Sequence, residues 1–494
     1  MADIDDPLTL QIPAIARAKP DPAGLAALER QLARDLELLC LPPANWPAKV
    51  AGPGGAPMLD VAVVGAGMYG IAAAAALMLK GIRNITLIDR AADGQEGPWI
   101  TYARMQTLRS PKHLPGVALG LPSLTFRAWY EAGFGAVAWA TLYKIRNADW
   151  QAYLTWLRRT LALPARSGTE VLGIVPRGDH LALSLCRGDA HSEVLARRVV
   201  LATGRPGTGG AHLPPGIASS LWPDRAAHSE ETIDFARLRG KAIAVIGAGP
   251  SAWDNAATAL EHGAARVDMY ARRSALPQIN KNRASANRGF FEGWASLPPA
   301  EKWRMLTYLD DVQSPPPHES ILRTLRHPGF RIHLGTPVRA AVSDGTGVAL
   351  TLGSGTVATA DFLILGTGFS VDVAAIPELS ALAPAIVTWA DRYTPPAGLE
   401  RPEIGRFPWL GDGFELVGRD AEASAGLSRV HLFSHAAFAS LGAIASDIPG
   451  VSAGAERLAH AIAAHLFVED VEDIRTRLEA FAEPELKGTP FFLL

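Results

Sequence analysis

Gly65, Gly67 and Gly70 form a GxGxxG pattern between the apolar residues 59–64 and the helix-forming residues 71–79. Glycines at this spacing are suited to holding a dinucleotide. The first permits a tight turn, the second lets the backbone approach a pyrophosphate, and the third lets helix and strand pack closely. The N–H groups that open the helix then face the phosphate charge. Asp89 ends the next apolar run, where a carboxylate can accept hydrogen bonds from a ribose diol. It also repels a 2′-phosphate, which leaves FAD or NAD for this site.

A second pattern, GxGxxA, stands at Gly247, Gly249 and Ala252, with Ser251 inside it. Here the following apolar run ends on Arg272 and Arg273 instead of an acid. A guanidinium pairs bidentately with phosphate oxygens, so this unit is expected to bind NADPH. The chemistry implied by two such sites in one chain is hydride transfer between nucleotide cofactors.

The elements around the glycines must place both turns at strand ends. Residues 59–64, 71–79 and 84–90 read as strand, helix and strand, and residues 241–273 repeat that grammar. The predicted fold class is α/β: two Rossmann-like dinucleotide-binding domains, the NADPH domain inserted into the FAD domain, with a helical N-terminal extension. The expected boundaries are an extension over 1–57, FAD-binding parts over 58–212 and 353–450, an NADPH-binding domain over 213–352, and a C-terminal helical segment over 451–494. Leu25, Leu28, Leu32, Leu36 and Leu39 recur at helical spacing, which predicts one amphipathic helix that docks on the main body.

The bulk numbers exclude several classes. A chain of 494 residues is long enough for two or three domains. Its net charge of -2 gives no electrostatic reason to expect nucleic acid as partner. Cys40 and Cys186 cannot form a CxxC redox pair, and no HxH or HExxH cluster argues for a metal. The acidic N-terminus lacks a signal-peptide pattern, and residues 71–79 are too short an apolar run to span a bilayer. A cytoplasmic protein without a membrane span is expected; whether it forms a homo-oligomer stays open.

Taken with their linking segments, the two units resemble the class B flavoprotein monooxygenases, over roughly residues 59–450. Residues 200–204, Val-Leu-Ala-Thr-Gly, resemble the ATG motif by which such chains leave the FAD domain, and residues 362–369 resemble the TGF motif of the return. The resemblance implies that Gly97 and Trp99 follow the FAD ribose strand, which favours FAD at the first site. It likewise implies that Gly204, Gly368, Ser440, Gly442 and Asp447 adjoin FAD. The family fingerprint is matched in part around His228, with Trp222, Asp224 and Thr232 departing from it. Those departures count against Baeyer–Villiger chemistry and leave heteroatom oxygenation ahead. For His228 the expected role is to link the domains and position the cofactor.

Residues 103–116 are implied to lie near the flavin. Two alignments compete there. Met105 and Gln106 resemble a pair in the amine N-hydroxylases, with Lys112 near a substrate-binding lysine. The other alignment puts Arg109 where flavin-containing monooxygenases have an asparagine. Gln106, Arg109 and Asn280 are the catalytic candidates, Gln106 also contacting the cofactor, and Lys112, Asn280 and Asn282 the substrate-binding ones. The implied activity is oxygenation of a small molecule by O2, FAD and NADPH through a flavin C4a-(hydro)peroxide, with N-hydroxylation or N/S-oxygenation of an amine or amino acid favoured. The rivals are a flavin reductase serving a quinone or partner protein, and a redox-sensing binding protein.

Overall fold

The computed structural model describes residues 19–445 and 447–492. The expected amphipathic helix is present as Pro22–Leu38, and its first turn is capped by the Asp21 carboxylate, which accepts from the Ala23 and Gly24 amides at 3.0 and 3.2 Å. Leu32 is buried, and the helix packs on a second one, Phe126–Phe134. The first 18 residues of the extension expected over 1–57 lie outside the described residues.

The first sheet contains β1 (Met58–Val64), β2 (Ile85–Ile88), β3 (Ala165–Arg166), β4 (Glu170–Arg177), β5 (His180–Arg187) and β6 (Ala190–Leu201), in the order β3-β2-β1-β6-β5-β4. The central pairs are parallel, with Val61 opposite both Ile85 and Arg198. The helix Met68–Leu79 is apolar on every face, and such a helix must be buried. It lies between this sheet and the helix Val451–Glu469.

The second sheet takes β7 (Ala226–His228), β8 (Ala242–Ile246), β9 (Arg266–Tyr270) and β10 (Phe330–His333). An antiparallel meander of β11 (Val338–Ser343), β12 (Val348–Leu352) and β13 (Val357–Ala360) follows. The chain then inserts β14 (Phe362–Leu365) between β8 and β7, giving the all-parallel order β10-β9-β8-β14-β7. Finally β15 (Val430–Leu432) pairs with β6, back in the first sheet. The second unit is therefore an insertion in the first, the doubly nucleotide-binding layout expected from the motifs.

Two expected boundaries shift. The boundary expected between residues 352 and 353 falls at the turn that joins β12 to β13, and the chain recrosses only after β14. The helix Val451–Glu469, read as part of a terminal segment, is core: Leu458, Ile462 and Leu466 are fully buried. Its end is tied to β6 by Arg197, which reaches Asp470 at 2.6 Å and Glu469 at 3.1 Å, and by Arg198, 2.5 Å from Glu469. Among the described residues no single helix is long and apolar enough to cross a membrane.

Candidate functional site

Both glycine turns open into one cleft of about 1740 Å³. A site for one drug-sized ligand rarely exceeds 1,000 Å³, so this cleft has room for two dinucleotides. At the first turn Gly65 has φ +100°, and a Cβ there would meet the Ala202 carbonyl at 2.5 Å. A Cβ at Gly70 would lie 1.9 Å from the Gly65 carbonyl, whereas one at Gly67 would meet nothing nearer than 3.8 Å. The division of labour expected from the spacing is thus built: turn, open cradle, close packing. Gly247 and Gly249 repeat it, with 2.4 Å to the Gly366 carbonyl and open space respectively.

The helices that follow, Met68–Leu79 and Pro250–Glu261, start on Gly67 and Gly249 with no side-chain cap. Their first N–H groups are left for an anion, and the helix dipole favours one. These features fit a dinucleotide pyrophosphate such as that of FAD at the first turn. Asp89 lies beside that turn, where its carboxylate accepts from the Ala66 and Ala91 amides, both at 2.7 Å. It braces the turn while lining the cleft. Trp99 also lines the cleft, edge-on to Trp150, with its indole N–H buried and unpartnered. Gly204, Gly368, Ser251 and Asp447 line the cleft as well.

Arg272 and Arg273 line the cleft beyond the second turn and differ in what they touch. Arg273 donates to the carbonyls of Asp311 at 2.9 Å and Asp310 at 3.4 Å, at the end of the helix Pro299–Val312. Arg272 is exposed and has no polar partner among the described residues.

The loop expected near the flavin contributes unequally. Met105, Leu108 and Arg109 line the cleft. Arg109 donates to Asp254 on the second nucleotide helix at 3.1 Å. Although 46 % of its side-chain surface is open, that opening is the cleft itself; burial of the guanidinium lowers its pKa, opposed by Asp254.

Two of the expected site residues, Lys112 and Gln106, are not among those that line the cleft. Lys112, read as a substrate ligand, donates to the carbonyls of Trp139, Ala140 and Leu142 at 2.8, 3.3 and 2.7 Å. It satisfies the orphan carbonyls that end the helix Ala136–Thr141, and its ammonium lies over the Trp139 ring. Gln106, read as a catalytic and cofactor residue, is exposed and lines a small void with Glu319 and Arg323, which adjoins the cleft at Met105 and Arg109. The strand-like pairing of Thr107 with Arg146 sets its neighbours' directions.

Asn280 does line the cleft, with a buried Oδ1 that has no partner, and Asn282 lines it while donating to Ser314 at 2.9 Å. Ser440 is committed elsewhere, accepting from Trp389 and from the Leu410 amide at 3.0 and 3.1 Å. A Cβ at Gly442 would press on Trp294 at 2.8 Å, so that glycine serves packing. His228 is fully buried in β7, edge-on to Phe369 of the return segment, and burial lowers its pKa.

Several cleft residues escaped the sequence reading. Arg205 follows the ATG-like motif directly and could have been found from that adjacency. Asp254 sits one helical turn beyond Gly249, a placement visible once the helix is drawn. Tyr69 has a buried, unpartnered hydroxyl, its pKa raised by burial. His435 lies five residues before Ser440, in the stretch that the resemblance implied to adjoin FAD, whereas Glu378 comes from a segment with no motif, and its place in the cleft is purely tertiary.

Comparison with known proteins accords with this architecture. The family described as pyridine nucleotide-disulphide oxidoreductase matches residues 62–287. The disulphide part of that description has no counterpart here, since Cys40 and Cys186 are both free. An FAD-dependent urate hydroxylase of Xanthomonas campestris pv. campestris is 39 % identical over 468 residues, 94 % of this chain and 98 % of that protein. Among solved structures, an ornithine N-hydroxylase of Kutzneria sp. 744 with reduced FAD, NADP+ and L-ornithine has a TM-score of 0.66 at 16 % identity, covering 83 % of this chain and 100 % of that one. The reduced ornithine hydroxylase of Pseudomonas aeruginosa has a TM-score of 0.65 at 21 % identity, with the same coverage. At these identities the structural likeness speaks for the fold.

Proposed function

This chain belongs to the class B flavoprotein monooxygenases, among the FAD-dependent hydroxylases, and from that membership we propose that it uses NADPH and O2 to hydroxylate an oxopurine such as urate. The observation that carries the substrate is the 39 % identity extending over nearly the whole of a urate hydroxylase. NADPH is supported by the free Arg272 guanidinium beside the second glycine turn. Of the residues through which amine N-hydroxylation would act, Lys112 is spent on main-chain carbonyls, whereas Asn280 lines the cleft.

Bound FAD supplies the redox and oxygen chemistry, and the protein supplies binding, orientation and exclusion of water. Gly67 and the uncapped start of the helix Met68–Leu79 would hold the FAD pyrophosphate, and Asp89, which keeps that turn in shape, would be available to the ribose. Gly249 and the helix Pro250–Glu261 would hold the second nucleotide in the same cleft. Both cofactors would then share one cleft, whose lining includes the apolar side chains Leu108, Ile404 and Phe438.

The test is aerobic oxidation of NADPH by the FAD-loaded protein, with urate, L-ornithine or no addition. Urate-dependent NADPH and O2 consumption with a hydroxylated purine product is expected. Ornithine-dependent consumption with a hydroxylamine product would replace the oxopurine reading by the N-hydroxylase one.

A further inference from the structure

Arg109 lines the cleft and is held by a buried carboxylate on the second nucleotide helix. Its Nη2 donates to Asp254 Oδ2 at 3.1 Å, and Asp254 is in turn buried, its side chain 4 % exposed. The other Asp254 oxygen accepts from Ser320 Oγ, and Arg323 stands 3.9 Å from it. Arg323 is itself committed, clamping Glu261 at 2.7 and 2.8 Å and Thr258 at 3.1 Å. Asp254 is therefore fixed from the helix His318–Leu325 and leaves only one direction for the arginine it pairs with.

The remaining N–H groups of Arg109 have no partner among the described residues, and its surface is open to the cleft. Arg205 lies within electrostatic reach and adds positive charge, and Asp447, also within reach, partly offsets it. A guanidinium held by one nitrogen, with its other edge bare and open to the cleft, is arranged to receive two parallel acceptors on a planar anion. The N–C=O edge of an oxopurine anion presents such a pair.

We propose that Arg109 anchors the anionic edge of an oxopurine substrate and that Asp254 is the positioning residue that aims it. This rests on the oxopurine reading above. The same donors would suit the NADPH pyrophosphate, because Asp254 lies on the second nucleotide helix, so the experiment separates the two anions.

The FAD-loaded wild type, Arg109→Gln, Arg109→Lys and Asp254→Asn are compared by urate-dependent NADPH oxidation and by dissociation constants for urate and for NADPH, read from the flavin absorbance. Arg109→Gln is expected to weaken urate binding about thirtyfold, the loss of a charge-assisted pair. Its NADPH affinity should move by less than about threefold, since no phosphate partner is removed. Arg109→Lys should fall between, keeping charge without the planar fork. Asp254→Asn should raise KM for urate more than it lowers kcat.

Urate affinity that is unchanged in Arg109→Gln overturns the inference while leaving the oxopurine reading intact. A rise confined to the NADPH constant overturns it in favour of a pyrophosphate ligand. Wild-type protein that neither binds nor turns over urate overturns the reading itself, and the inference with it. Should Arg109→Gln fail to load FAD, the comparison of Arg109→Lys with wild type decides, because that variant keeps the charge facing Asp254.

Discussion

At the scale of single residues, neighbours in sequence divide unlike tasks. Arg272 and Arg273 were read as an equivalent pair for a 2′-phosphate, yet Arg273 spends its guanidinium on two carbonyls at a helix end. Cations are stabilised there by the orphan carbonyls and the helix dipole. Arg272 alone keeps all its donors. Arg272→Ala is therefore expected to raise KM for NADPH about tenfold or more and to leave NADH nearly unchanged, the size of one charged hydrogen-bonding partner. Arg273→Ala should act mainly on stability, through the end of the helix Pro299–Val312. Steady-state kinetics with both nucleotides checks this, and equal effects of the two substitutions would contradict it. Lys112 teaches the same lesson. Its charge suggested a substrate carboxylate, but a lysine near a helix C-terminus has carbonyls within reach.

At the scale of elements, the strand–turn–helix units were legible because each glycine is dictated by local geometry. The three positions of the first turn make separable demands, and substitution can tell them apart. A Cβ at Gly70 collides with the Gly65 carbonyl at 1.9 Å, so Gly70→Ala must push helix from strand. A Cβ at Gly67 has 3.8 Å of clearance in the protein alone but enters the space left for a pyrophosphate. Gly67→Ala is expected to fold with nearly the Tm of wild-type apoprotein while losing FAD affinity about tenfold or more; Gly70→Ala should lower the Tm of the apoprotein itself. Thermal unfolding before and after adding FAD measures both. What the sequence hid at this scale is what only the assembled fold determines. β14 is a short apolar strand whose sheet is chosen by the gap between β8 and β7. The helix Val451–Glu469 shows a terminal position in the chain and a central one in space. Arg109 and Asp254 lie 145 residues apart, and nothing in either segment announces their pairing.

At the scale of the whole molecule, buried titratable groups on the first sheet make stability depend on pH with opposing signs. His431 of β15 is fully buried, bonded through Nδ1 to the Gly413 carbonyl at 2.7 Å, and burial depresses its pKa from 6.5 to about 3. In the unfolded chain it takes a proton near pH 6.5, while in the folded chain it stays neutral until about pH 3. Its contribution is whole above pH 6.5 and is lost as pH falls, at about 1.4 kcal/mol per pH unit for one proton. Asp60 of β1 lies 3.5 Å from Arg197, and burial, outweighing that arginine, raises its pKa from 3.8 to about 6. The folded chain holds this proton where the unfolded chain has released it. Its contribution is whole below pH 3.8 and is lost as pH rises through about 6. Between about pH 4 and pH 6 the two slopes therefore oppose one another. Urea unfolding across this range should find that His431→Gln flattens the acid-side loss relative to wild type, and that Asp60→Asn steepens it. Only the slopes matter, so any uniform cost of either substitution cancels. Parallel profiles for wild type and His431→Gln would mean that the histidine is charged in the folded protein, against the burial that surrounds it on every side.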